Sequence, residues 1–148
     1  MWTQLSLGGV ASLVNFGIHA VMTGIIILLT HRTARRTDHL HVFVRVIALL
    51  TVTMIALMCA HVVEIGVWAL SYTLSDSTPA GMQPLEFAFE NYTALGYGNP
   101  LPGESRRLIG PITALNGLLL IGWSVAIIFE VMRMAEVQFT RLEQKGDS

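Results

Sequence analysis

Two stretches of the sequence hold residues whose types and spacing bear on chemistry. The first runs Asn91-Tyr92-Thr93-Ala94-Leu95-Gly96-Tyr97-Gly98-Asn99-Pro100, with two glycines bracketing a tyrosine. Glycine reaches backbone torsions closed to residues with a Cβ, so the segment can be a tight surface turn. It can equally be backbone threaded through a membrane to hold an ion, which survives at that depth only where protein buries it or it lines a polar pathway. The second stretch holds His61 and Glu64, three apart and therefore on one face of a helix. Ionisable residues inside an apolar segment are costly and are functional candidates by default. The pair can anchor a neighbouring helix or subunit through a hydrogen bond, or sense protons, since histidine titrates near neutral pH. A metal site is a third option, for which H-x-x-E alone is a weak signal without further ligands from other helices.

The elements that must position these residues are membrane helices. The chain has 148 residues, 53% of them hydrophobic, and a mean hydropathy of +0.59, too apolar for an ordinary soluble domain of this size. Three runs reach the length of about 20 apolar residues that a spanning helix needs: Gly8 to Thr30, Val46 to Leu70 and Leu108 to Phe129. The first and third carry no Asp, Glu, Lys or Arg, and the second is interrupted only by His61 and Glu64. The first lacks the positive flank and short apolar core of a signal peptide, so it is read as retained. Arg32, Arg35, Arg36 and Arg45 lie in the first connection and Arg133, Arg141 and Lys145 near the end, against Arg106 and Arg107 between the second and third spans. The positive-inside rule then puts the basic connection and the C-terminus in the cytoplasm and the N-terminus outside. A net charge of -1 gives no footprint for nucleic acid. Cys59, the single cysteine, rules out an intrachain disulfide.

The connection from Ser71 to Arg107 is long for a helix–helix loop. Its first part, Ser71 to Ala80 with Pro79, reads as a polar external loop. Met82 to Thr93 then forms a short apolar run, too short to span and suited to a re-entrant segment. Pro84 fits a first helical turn, where its missing N–H costs nothing. Asn99, Pro100, Pro102 and Gly103 end any regular structure. No internal repeat or low-complexity tract is present. The charge-alternating tail after Glu130 is expected to continue the third helix briefly and fray at Gly146.

This order of helix, short re-entrant helix, T-x-L-G-Y-G-N and helix resembles the pore domain of tetrameric potassium channels, in particular their small bacterial members, over about residues 46 to 135. The resemblance implies an all-α membrane protein with three transmembrane helices per chain, and a re-entrant pore helix and selectivity-filter loop between the second and third. One loop per chain implies a homotetrameric pore, because rings of backbone carbonyls replace the hydration shell of the ion. The filter residues would be Ala94, Leu95, Gly96, Tyr97 and Gly98, with K+ at their carbonyls as the permeating ion and the only metal. Thr93, Glu90 and Asn99 would support them. Glu90 stands where the family often has a pore-helix carboxylate, and its contact with Asn99 is expected to brace the filter. The other reading of Glu90 is a solvated carboxylate at the pore mouth. Gly117 falls at the family's hinge glycine and Gly122 at a second small position. Close packing without bending is the other reading of both.

The sequence departs from the family at three positions. Ala94 replaces a threonine whose hydroxyls form the floor of the innermost ion site, Leu95 replaces valine, and Asn99 replaces aspartate. These changes imply weaker inner-site binding and looser selectivity. They also support an alternative from another class, a non-conducting membrane scaffold or regulatory subunit that keeps the channel-like fold.

The remaining polar and aromatic residues are read more simply. Asn116 faces a conduction cavity or makes an interhelical hydrogen bond. Trp2, Trp68 and Tyr72 are assigned to interfacial aromatic belts. His31, His39 and His41 are assigned to a solvated loop that its arginines draw toward anionic lipid. No nucleophile and base pairing, phosphate loop or dense ligand cluster points to an enzyme, and no cofactor is expected. No helix with repeated voltage-sensing arginines is present, and no appended nucleotide-binding domain is expected. The expected organisation is an extra helix and basic cytoplasmic loop over 1–41, the ion-channel pore domain over 42–135 and a cytoplasmic tail over 136–148, in a bacterial inner membrane. The first helix either wraps the pore domain or contacts another subunit.

Overall fold

The computed structural model describes residues 2–96 and 107–146. Tyr97, Gly98 and Asn99, and with them the expected Glu90 to Asn99 contact, lie outside the described residues. Four helices follow in order: α1 (Trp2–Arg36), α2 (Val42–Leu74), α3 (Pro84–Tyr92) and α4 (Ile109–Gly146). No strand occurs among the described residues.

α1, α2 and α4 are long and apolar enough to cross a membrane. At 1.5 Å rise per residue, the 35 residues of α1 run about 50 Å. That exceeds a hydrocarbon core of about 30 Å. The surplus is polar: α1 ends on Arg35 and Arg36, whose cations suit the negative end of a helix dipole.

Two packed units are present, one formed by residues 1–20 and 60–122 and the other by 21–59 and 123–148. The first has a core of Ala11, Ile65, Trp68, Tyr72, Phe87, Ala88, Tyr92, Ile109 and Leu120. In the second, Ile26, Ala56 and Leu57 pack with Leu29, Ile127 and Ile128. Thr30 and Thr53 there satisfy their hydroxyls on carbonyls one turn back, Ile26 at 3.0 Å and Leu49 at 2.8 Å. No helix need then present an open hydroxyl to an apolar neighbour.

α3 belongs to the first unit. Pro84 opens it at the first helical position, where no intrahelical N–H bond is lost. Phe87, Ala88 and Tyr92 form its buried face. Phe87 packs on Tyr72 with ring centroids 4.8 Å apart. Tyr72 in turn bonds Thr113 through their hydroxyls at 2.7 Å, so one stack ties α3 to α2 and α4. Trp68 and Tyr72 are therefore not belt residues: both are fully buried, and each polar tip has a protein partner. Trp2 is exposed, as a belt residue would be.

α3 ends in a Schellman motif. Leu95 N–H bonds the Glu90 carbonyl at 3.1 Å and Ala94 N–H bonds the Asn91 carbonyl at 3.0 Å, with Ala94 at φ 56°. Such a cap satisfies the last carbonyls of a helix and places its pivot residue in the left-handed region, usually as glycine. α2 closes in the same way around Asp76, at φ 48°, with Ser77 N–H on the Tyr72 carbonyl.

Candidate functional site

The polar residues of the first unit converge on Glu64. Its side chain is fully buried. Nδ1 of His19, on α1, lies 2.7 Å from Oε1, and Nδ1 of His61 lies 3.1 Å from Oε2. The Tyr92 hydroxyl, at the end of α3, donates to Oε2 at 2.5 Å and lies 2.8 Å from His61 Nδ1. The two imidazoles face each other at 5.6 Å between centroids. A buried carboxylate is tolerable only when paired and hydrogen-bonded, and three donors from three helices meet that condition here.

A second set of bonds lies beside it. Asn15 Nδ2 donates to the Glu64 carbonyl at 3.2 Å and to Asn116 Oδ1 at 3.1 Å. Trp68 Nε1 donates to the same Asn116 oxygen at 2.9 Å. Asn116 is 2% exposed, so in this chain it makes the interhelical hydrogen bond. α1 is thereby packed against α2 and α4 of its own chain within this unit.

His61 and Glu64 do meet, as their spacing predicts, but the carboxylate is shared with two further residues. Sequence reasoning missed His19, Asn15 and Tyr92. Asn15 and His19 are four apart, on one face of an otherwise apolar helix, and that spacing was the available signal.

The segment after α3 forms a second locus. Thr93, Ala94, Leu95 and Gly96 are exposed in the single chain, and Gly96 has φ 54°. Thr93 Oγ1 donates to the Phe89 carbonyl at 2.8 Å. Glu90 is half-buried, and its carbonyl accepts from Leu95. Gly117 lies against the C-terminus of α3. A Cβ built on it would overlap the Tyr92 carbonyl oxygen and sit 2.9 Å from the carbonyl carbon. Gly117 is thus a close-packing glycine, while nothing lies within 4 Å of a Cβ built on Gly122. In the basic connection, His31, His39 and His41 are exposed, and Arg45 pairs with Asp38 at 2.9 Å.

The family model described as ion channel matches residues 51–134, more than half of the chain. No curated protein matches the chain, and no solved structure does.

Proposed function

Since the chain belongs to the ion channel family and is an integral membrane protein with three apolar helices, we propose that it forms a tetrameric, potassium-selective pore. In this reading α3 is a re-entrant pore helix, and the segment from Ala94 onward supplies the ion-binding carbonyls. The supporting observation is the backbone there: Ala94 and Gly96 have positive φ, and Leu95 between them does not. Backbone that alternates the sign of φ can turn successive carbonyls to one side, the arrangement an ion-binding segment needs. Backbone oxygens so gathered can replace a hydration shell.

One such segment offers a single oxygen to each ring, so the ring requires copies of the chain. Leu85, Phe89 and Leu95 are 52%, 42% and 60% exposed, an apolar surface around the segment that neighbouring copies would cover. The arginine distribution supports an N-terminus outside and a C-terminus in the cytoplasm of a bacterial inner membrane.

Ala94 favours a second reading, a non-conducting scaffold, because its methyl group supplies no oxygen ligand. Liposomes containing the purified protein separate the two. The pore reading expects rubidium and potassium flux above sodium flux, loss of flux in Gly96→Val, and cross-linked species that stop at four chains. A verified tetramer without flux supports the scaffold. Equal sodium and potassium flux refutes the selectivity, and a stable monomer or dimer refutes the pore.

A further inference from the structure

The pore reading makes no use of the cluster around Glu64. One ligating atom from each of His19, His61 and Glu64 lies within 4.8 Å of the others, and this is the one such group of His, Cys, Asp or Glu among the described residues. We propose that these three residues form a binding site for a divalent transition-metal ion of the zinc class.

Several features point to that ligand. Two imidazoles turn the same atom, Nδ1, toward a single carboxylate at 2.7 and 3.1 Å. Zinc–ligand distances of about 2.0–2.1 Å in tetrahedral geometry place ligand atoms about 3.3 Å apart, so the two hydrogen-bonded pairs open by about 0.6 Å at most and a pair at the 4.8 Å limit closes by about 1.5 Å to admit the ion. The Tyr92 oxygen, within 2.8 Å of both His61 Nδ1 and Glu64 Oε2, stands beside the fourth position. Asn15, donating to the Glu64 carbonyl at 3.2 Å, holds the α2 backbone beneath the ligand. Such outer contacts fix ligand orientation in metal sites.

Ligand type agrees. With both histidines neutral the cluster carries one negative charge, which a dication would exchange for one positive charge spread over the ligands, so the donor types carry the argument. Mixed imidazole and carboxylate donors suit zinc, copper, nickel or cobalt, whereas calcium and magnesium take oxygen ligands. Binding requires each imidazole to hold its proton on Nε2, with the Nδ1 lone pair on the metal. His61, 15% exposed at its side chain, is the more accessible ligand.

The test is independent of conduction. Tag-free protein in nanodiscs is titrated with Co2+ while visible absorption is recorded. The expected result is one Co2+ per chain with the intense bands of four-coordinate geometry, displaced by Zn2+ but not by excess Ca2+ or Mg2+. His19→Ala and His61→Ala should each weaken binding about tenfold or more, since even the loss of an outer contact costs 10–100-fold. A combined His31→Ala, His39→Ala and His41→Ala variant should bind as the parent does. Where an alanine variant loses its size-exclusion peak, His19→Gln replaces it, keeping a donor toward Glu64. Failure to bind stoichiometric Co2+, or unchanged binding in a folded His19 variant, overturns the site. Binding that disappears with the loop histidines overturns it as well.

Discussion

The main-chain carbonyl of Tyr92 lies directly against Gly117, so that no side chain fits between the end of α3 and the middle of α4. The obstructing atom is backbone and cannot rotate away. Gly117→Ala gains up to about 1 kcal/mol in helix propensity, but forcing atoms into a packed contact costs about 1–3 kcal/mol. The overlap here is severe, so the cost prevails. Thermal unfolding in detergent should show Gly117→Ala destabilised, whereas Gly122→Ala, with open space around it in the chain, should match or slightly exceed the parent.

Ala94 holds a left-handed pivot at φ 56°, a conformation that costs a residue with a Cβ about 1–2 kcal/mol. Ala94→Gly removes that cost while adding about 0.4–1 kcal/mol of unfolded-state freedom. The net is a gain of between about 0 and about 1.6 kcal/mol. Ala94→Thr, which restores the residue type usual in potassium channels, puts a β-branched side chain where such residues are outliers. Melting temperatures should rank the Ala94→Gly variant at or above the parent and the Ala94→Thr variant below it. A threonine variant as stable as the parent would show that the Schellman pivot does not persist in the assembled protein.

The spans were legible because each is a run free of formal charge or nearly so, and the start of α3 because Pro84 suits a first turn and not a helix interior. The surroundings of Glu64 were not. Asn15 and His19 carry no fixed charge and pass unnoticed in a search of spans for Asp, Glu, Lys and Arg. Trp68 and Tyr72 look interfacial by their distance from a helix end. Their burial instead follows from partners on another helix, Asn116 and Thr113, which nothing local to either residue announces. A glycine at position 117 is equally compatible with a hinge and with a contact. The choice rests on where the Tyr92 carbonyl falls, which is a fact of packing.

Glu64 accepts from His19, His61 and Tyr92 at once. Removing the shared acceptor leaves its buried donors without that partner, at about 1–3 kcal/mol for each group left unsatisfied. Glu64→Ala should therefore be among the most damaging substitutions in the chain, read as loss of the folded peak on size exclusion. Tyr92→Phe deletes one donor and leaves the carboxylate with two, so a milder loss of about 1–3 kcal/mol follows. Equal damage from the two would mean that Tyr92, not the carboxylate, organises the cluster.

Asn116 Oδ1 accepts from both Asn15 and Trp68. Asn116→Ala orphans two buried donors, at about 1–3 kcal/mol for each group left without a partner. Asn15 keeps its bond to the Glu64 carbonyl, which places the total near the lower end, about 2–4 kcal/mol. Trp68→Phe removes one donor and leaves the acceptor occupied by Asn15, so its hydrogen-bond loss should be smaller. In a double-mutant cycle over Asn15 and Asn116, measured by unfolding in nanodiscs, the coupling should be about 0.6 kcal/mol, the average for hydrogen bonds between membrane helices. A coupling indistinguishable from zero would mean that Trp68 alone holds the Asn116 side chain and that α1 is tied in through the His19 to Glu64 bond.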